Sequence, residues 1–336
     1  MQKLKRGTIK FNKPPLIAAH GCIVSKKEGE GPLGQLFDRI EPDEYFGQDN
    51  WEKAESQFQS AAIDICLKNA GITGDDLDAA VGGDLLNQCT ATSFAVKDLN
   101  APFLGVYGAC STIAESLITA AAMVDGGYGD NILASAGSHF CSAEKQFRTP
   151  LEYGSQRPPS AQWTVTGAGA VLLSGLGKVG ITAATIGTII DKGITDANHM
   201  GGAMAPAFAN TIASHLRAMG AQPTDYDAIF SGDLGVIGMG LARELLEQDG
   251  ILLSDNYHDC GEMIFDREKQ DVHAGGSGCG CAASVLCAHV LPQIESRAWK
   301  RVLFCATGAL LSPTTVLQGE SIPCIAHAVE LTAFGN

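Results

Sequence analysis

The chain has 336 residues, 45% of them hydrophobic and 18% charged, which is too apolar for a disordered chain and long enough for about two domain-sized units with a large core. Asp and Glu number 37 against 23 Lys and Arg, a net charge of −14 that repels phosphate backbones and sets nucleic acid aside as a partner. No run approaches the roughly 18 consecutive apolar residues of a membrane span, so no transmembrane segment is expected.

Met1–Pro15 has the positive start of a signal peptide but not its apolar middle. Apolar periodicity then predicts, in chain order, a helix over Ala54–Asn69, a strand over Ala79–Gly82 and a helix over Ser111–Val124. Strands follow at Asn131–Ala136 and Gly169–Ser174, then a helix over Ala207–Met219 and a strand over Ala228–Ser231. Helices over Gly240–Gln248 and Ala282–Ile294 and a strand over Arg301–Ala306 complete the series. Strands alternating with helices argue for an α/β architecture with buried sheets. The 40 glycines stand at the ends of apolar runs, which suits tight junctions and close backbone packing. The 11 cysteines lack framework spacing and fit reduced thiols in a cytosol-facing compartment.

An internal repeat organises the chain. Asp78-Ala-Ala-Val-Gly-Gly-Asp84-Leu85 reads like Asp227-Ala-Ile-Phe-Ser-Gly-Asp233-Leu234, with both pairs of Asp 149 residues apart. Further on, Cys110 and Cys281 each precede a helix, and Gly137 and Gly308 each close a strand; both pairs are 171 apart. The second half therefore carries an insertion, expected within Gly235–His273. Two similar halves follow, 1–175 and 176–336.

These residues carry a resemblance. Gly108-Ala-Cys110-Ser-Thr resembles the nucleophile turn of the thiolase-like superfamily, which includes the β-ketoacyl synthases. Val165-Thr-Gly-Ala-Gly169 resembles its Gly-rich strand, Gly278-Cys-Gly-Cys-Ala-Ala-Ser284 its second-half helix turn, and Thr307-Gly308-Ala its closing glycine turn. Within the superfamily the chain is similar to the stage V sporulation protein AD family of spore-forming bacteria, through Ala18-Ala-His-Gly-Cys22, Ala134-Ser-Ala-Gly-Ser-His139-Phe and His273-Ala-Gly-Gly-Ser-Gly-Cys279. The resemblance implies a five-layered α-β-α-β-α fold, with Ser111–Val124 and Ala282–Ile294 buried between two sheets, as their low charge also suggests. It implies a homodimer paired through the strand around Asn131–Ala136, where an apolar edge would otherwise be exposed. It further implies binding of dipicolinic acid (pyridine-2,6-dicarboxylate) for uptake into the developing spore. That places the protein in the cytoplasm or peripherally at the spore or forespore inner membrane, with membrane transport proteins as partners.

Cys110 has the clearest physical case. A thiol at a helix start meets unpaired backbone N–H groups and the positive dipole end, which favour thiolate. In the superfamily that thiolate attacks an acyl thioester, and by the resemblance the oxyanion donors here are the N–H groups of Cys110 and Gly308. The other reading of Cys110 is a small buried residue packing a helix start. Condensing enzymes also supply His with His or His with Asn from second-half loops. This chain has Gly232-Asp233-Leu234-Gly235 at one position and Gly276-Ser277-Gly278-Cys279-Gly280 at the other, with His273 upstream and able to reach the pocket only if displaced. Two departures at the positions for acid–base work weigh against turnover. An acyl-thioester condensing or transferase enzyme using Cys110 is the alternative.

For the ligand pocket the candidates are Gly108, Cys110, Ser111, His139, Arg148, Arg157, Asp233, His273, Ser277, Cys279 and Gly308. Arg148 and Arg157 could grip a carboxylate through paired hydrogen bonds or stay solvated, and His139 could line the pocket or be a satisfied core residue. With −14 on the chain, either an Arg offsets the dianion locally or the ligand arrives as its neutral calcium chelate. No other cofactor is expected. Cys279, Cys281 and Cys287 lack zinc spacing, and no P-loop or dinucleotide fingerprint is present. Lys3, Lys5, Arg6, Lys10 and Lys13 form a basic cluster that could lean on anionic lipid or simply solvate a strand edge.

Overall fold

A computed structural model describes residues 1–148 and 156–335; the stretch 149–155, central to the predicted loop Glu144–Pro159, lies outside the described residues. Ten strands follow one continuous path. It runs from Tyr257–Asp259 through Ala228–Ser231, Arg301–Ala309, Cys324–Ala333 and Val179–Ile186 to the middle. It continues through Leu16–Ser25, Gly167–Ser174, Ile132–Ser138 and Ala79–Gly83 to Phe103–Gly105. The order is symmetric: each strand of one half has its counterpart at the same distance from the centre, where Val179 and Gly180 pair with Ile17 and Leu16.

Successive side chains of a strand point to opposite faces, and here both faces are apolar. In the first half Leu133 and Leu172 pack outward with Phe58 and Ile63 of the helix Trp51–Ala70, while Ile132, Val171 and Leu173 pack inward with Ile113 and Leu117. In the second half Leu303 and Cys305 pack outward with Phe208 and Ile212 of the helix Met200–Met219, while Val302 and Phe304 face inward. The layers are helices, sheet, helices, sheet, helices, the five-layered α-β-α-β-α fold. The middle layer is the helix Thr112–Asp125 and the run from Cys279 to Glu295. In that run Leu286–Val290 is a π-helical turn. Pro292 explains it, because it has no N–H to donate and its ring crowds the carbonyl four residues earlier.

Small residues let this middle layer sit close to the sheets. A Cβ at Gly169 would stand 2.4 Å from the Ala283 carbonyl oxygen, so glycine is what lets the strand Gly167–Ser174 touch the central helix. The outer helices Met200–Met219 and Gly235–Gln248 begin five to seven residues before their predicted starts. Gly201 and Gly238 meet at their crossing, and a Cβ at Gly238 would lie 2.4 Å from the Gly201 carbonyl oxygen.

One expectation is overturned. Ile132–Ser138 is no edge: it pairs with Ala79–Gly83 on one side and Gly167–Ser174 on the other, and all seven residues are buried. The terminal strand of that half is Phe103–Gly105, with Leu104 48% exposed. The added length of the second half follows Tyr257–Asp259. There Cys260–Met263 and a loop intervene before Gly276, whereas Phe103–Gly105 runs almost directly into the Cys110 turn.

Truncating the fully buried Leu117 removes packing against both sheets. Leu117→Ala is expected to lower unfolding stability by about 2–5 kcal/mol. Leu176→Ala, at a residue 79% exposed, should stay within about 0.5 kcal/mol. Urea denaturation of both variants checks the contrast.

Candidate functional site

Cys110 sits in a tight 3-10 turn, Ala109–Ser111, that leads into the helix Thr112–Asp125. Ala109 takes a left-handed φ of 51°, a strained conformation for a residue with a Cβ. Local hydrogen bonds hold it: Ser111 Oγ donates to the Gly108 carbonyl at 2.6 Å and Thr112 Oγ1 to the Ala109 carbonyl at 2.6 Å. From below, Gly308 presses on the turn so closely that a Cβ there would lie 2.1 Å from the Gly108 oxygen. The turn therefore holds the sulfur at the floor of a small pocket of about 40 Å³.

Leu85, Tyr107, Ala109, Cys110, Thr164 and Ser277 line it. Ala143, Gln146, Phe147, Met200, Ala309, Leu311 and Ser312 complete the described lining. Thr164 and Ser277 are brought together by a short parallel pair, Trp163–Thr164 with Gly276–Ser277. Gln162 pins that pair to the second half, its Nε2 donating to the carbonyls of Asp233 and Gly276, both at 2.7 Å. Tyr107 Oη donates to the Leu311 carbonyl at 3.2 Å and ties these two lining residues together.

Asp233 is the centre of the polar structure behind the floor. It is fully buried and accepts from Thr307 Oγ1 at 2.7 Å, the Gly278 amide at 2.9 Å and Ser277 Oγ at 3.1 Å. It also stands against the Cys110 thiol. Burial first, and then the Asp233 charge, push the thiol well above its ordinary pKa. The carboxyl of Asp233 is itself raised by burial, against the four hydrogen-bonding groups that hold it charged. This reverses the thiolate expected from the helix start: burial and an adjacent carboxylate outweigh the dipole of the first turn.

The remaining candidates divide clearly. Cys110 and Ser277 line the pocket. Gly108, Ser111, Gly308 and Asp233 build its floor from behind. Cys279 is buried and donates its S–H to the Gly137 carbonyl at 2.9 Å. His139 does not line it: Nε2 lies 2.9 Å from the Glu44 carbonyl, Nδ1 accepts from the Cys141 amide at 3.2 Å, and burial lowers its pKa. It is a satisfied core histidine that caps the short helix Phe140–Glu144. His273 does not reach the pocket either, because its side chain pairs with Asp271 at 3.2 Å. Arg148 donates to Glu144 at 2.6 Å and to Asn198 at 2.7 Å. Arg157 binds Asp271 at 2.9 Å and lies over the Trp163 ring at 4.7 Å. Neither is among the described lining residues, which include no Lys, Arg or His. Sequence reasoning missed Tyr107, Leu85, Gln146, Phe147, Met200 and Leu311, which carry no motif and meet only in three dimensions.

Residues 5–332 match the model of the family described as stage V sporulation protein AD. The chain belongs to that family. It is 43% identical over 327 residues to stage V sporulation protein AD of Bacillus subtilis (strain 168), across 97% of this chain and 96% of that protein. Among solved structures it is similar to 3-oxoacyl-(acyl carrier protein) synthase III of Pseudomonas aeruginosa PAO1, with a TM-score of 0.59 and 14% identity over 95% of this chain and 98% of that one. Cerulenin-bound OleA of Xanthomonas campestris gives a TM-score of 0.57 and 13% identity over 96% of this chain and 100% of that one. Those likenesses show the fold. Membership of the sporulation family gives this protein a role in sporulation on a thiolase-like scaffold.

Removing the Asp233 charge should free the thiol. Asp233→Asn is expected to lower the Cys110 pKa and raise its rate of alkylation by iodoacetamide at pH 8 by at least about tenfold, one pKa unit being a factor of ten. Mass spectrometry of the Cys110 peptide, followed over pH, reads the shift.

Proposed function

We propose that this protein binds pyridine-2,6-dicarboxylate in the Cys110 pocket, without turning it over, and hands it to membrane transport proteins for uptake into the developing spore. The observation that carries the reading is the Cys110 sulfur set against buried Asp233, where burial and that charge push the thiol pKa up, in a pocket whose described lining has no histidine. A condensing enzyme needs a thiolate and a general acid–base group within reach of the reacting carbonyl. The described lining supplies no histidine for that work.

The free space is about 40 Å³, below the roughly 300–1,000 Å³ of small-molecule sites, so a ring enters as the lining side chains move apart. Tyr107, Thr164, Ser277, Ser312 and Gln146 offer hydroxyl and amide donors to carboxylate oxygens, while Leu85, Phe147, Met200 and Leu311 suit the ring. With no cation among the described lining residues and Asp233 behind the floor, a bare dianion is costly here. The calcium chelate brings its own compensation, because the metal cancels the ligand charge before it enters.

The resting assembly is a homodimer paired through Phe103–Gly105. That terminal strand carries exposed Leu104, with Phe94 60% and Tyr107 42% exposed, an apolar edge that pairing would cover.

Two measurements test this reading. Calorimetry with dipicolinate, alone and with equimolar calcium, should show one site per chain. Cys110→Trp, which fills the pocket, should weaken binding at least about tenfold with the circular dichroism unchanged; one hot-spot contact of that size is about 1.4 kcal/mol. Unaltered binding by the variant places the site elsewhere. Light scattering at micromolar concentration should give a dimer, and Leu104→Lys a monomer; a monomeric parent contradicts the assembly.

A further inference from the structure

The amino-terminal strands Gln2–Lys5 and Thr8–Lys10 form a hairpin that is bolted to the body of the protein. Thr8 is fully buried, its Oγ1 is 3.0 Å from Thr185 Oγ1, and Thr185 Oγ1 is 2.9 Å from His215 Nδ1. Phe11 is 2% exposed, its amide donates to the Thr182 carbonyl at 3.0 Å, and the Ile186 amide donates to the Gly7 carbonyl at 2.9 Å. Gly7 turns the hairpin with a φ of 81°.

This rigid element presents Lys3, Lys5, Arg6, Lys10 and Lys13, all exposed. None of the five enters an ion pair among the described residues. Elsewhere Lys26, Arg39, Lys53, Lys97, Lys145, Arg148, Arg157, Arg217, Lys269 and Arg301 each pair with a carboxylate, and the remaining Lys and Arg that do not are scattered along the chain and not gathered in one element. The nearby Asp125 takes the amino terminus and the Lys13 backbone amide, not a hairpin side chain. A chain of net charge −14 has carboxylates to spare, yet leaves its densest run of cations without them. Beside the turn stands Ile186, 51% exposed, and three residues further along the chain Ile189 is 61% exposed.

We infer that this hairpin and the adjoining Ile186 and Ile189 are a docking surface for an anionic lipid bilayer. Clustered Lys and Arg are drawn to the negative surface potential of a membrane, and isoleucines beside them enter the interface. The acidic remainder of the protein does not prevent this, because fields are screened within about 10 Å at 0.1 M salt. Lysines also guard strand edges against pairing with other chains, and that role needs neither the exposed isoleucines nor any response to lipid charge.

Co-sedimentation of the full chain with vesicles at about 0.1 M salt decides it. Vesicles of equal parts phosphatidylglycerol and phosphatidylcholine should pull the protein down, and phosphatidylcholine alone should not. Lys5→Gln and Arg6→Gln, singly and in a turn with no buried side chain, should each weaken binding about fivefold. Lys5→Glu, Arg6→Glu and Lys10→Glu combined should weaken it at least about a hundredfold. The same charge change made elsewhere, Lys53→Glu with Lys97→Glu and Lys269→Glu, should leave it within about threefold. Equal loss in both triple variants, no preference for the anionic vesicles, or a gel shift of duplex DNA stronger than the vesicle binding would overturn the inference.

Discussion

The site is organised around one buried carboxylate. Asp233 receives a hydroxyl from the strand Arg301–Ala309 through Thr307, and a hydroxyl and an amide from the Ser277–Gly278 turn. The thiol of the first-half turn lies against it. Hydrogen bonds to a charged group contribute roughly 1.5–3 kcal/mol each, and leaving such a group unpaired in the interior costs more than one bond. The carboxylate thus joins three segments from both halves at the pocket floor. A second buried carboxylate fixes Asp233 in turn: Asp259 accepts from Ser231 Oγ at 2.6 Å and from the Leu234 and Gly235 amides at 2.8 and 2.9 Å. The loop that in a condensing enzyme offers a base is here a clamp.

The electrostatic consequence follows from this placement. A thiol without solvent and with a negative neighbour holds its proton more tightly than a free cysteine. Asp233 cannot usefully take that proton, since the acceptor is by far the weaker base of the pair. What survives from the fold is the geometry: the strained Ala109, the close contact of Gly308 under Gly108, and a pocket walled by both halves. Fold alone does not fix chemistry, which depends on the residues at the site.

Much of the scaffold was legible because duplication writes the same signals twice. Asp78 to Leu85 and Asp227 to Leu234 mark matching strand ends, and the Cys110 and Cys281 turns mark the two central helices. The strands Leu16–Ser25, Val179–Ile186 and Cys324–Ala333 were not legible. They mix Ala, Thr and Gly with the β-branched residues and are buried on both faces, so no period-two pattern emerges. The position of the free edge was likewise hidden, since Ile132–Ser138 and Phe103–Gly105 differ in pairing more than in apolarity. At the site, the Cys110 turn could be read from the repeat and the resemblance, and the lack of a histidine at Gly232–Gly235 from the resemblance. The fates of His139, Arg148, Arg157 and His273 could not, because each is settled by a partner distant in sequence or by a local backbone turn.

The central claim is that the Asp233–Cys110 contact keeps the pocket for binding and closes it to acyl transfer. Incubation of the parent protein with an acyl-CoA, with released CoA followed in the first turnover, tests this most directly. The account predicts no burst above the rate seen with Cys110→Ala. A burst stoichiometric with the protein and abolished by Cys110→Ala would show a working nucleophile and contradict it.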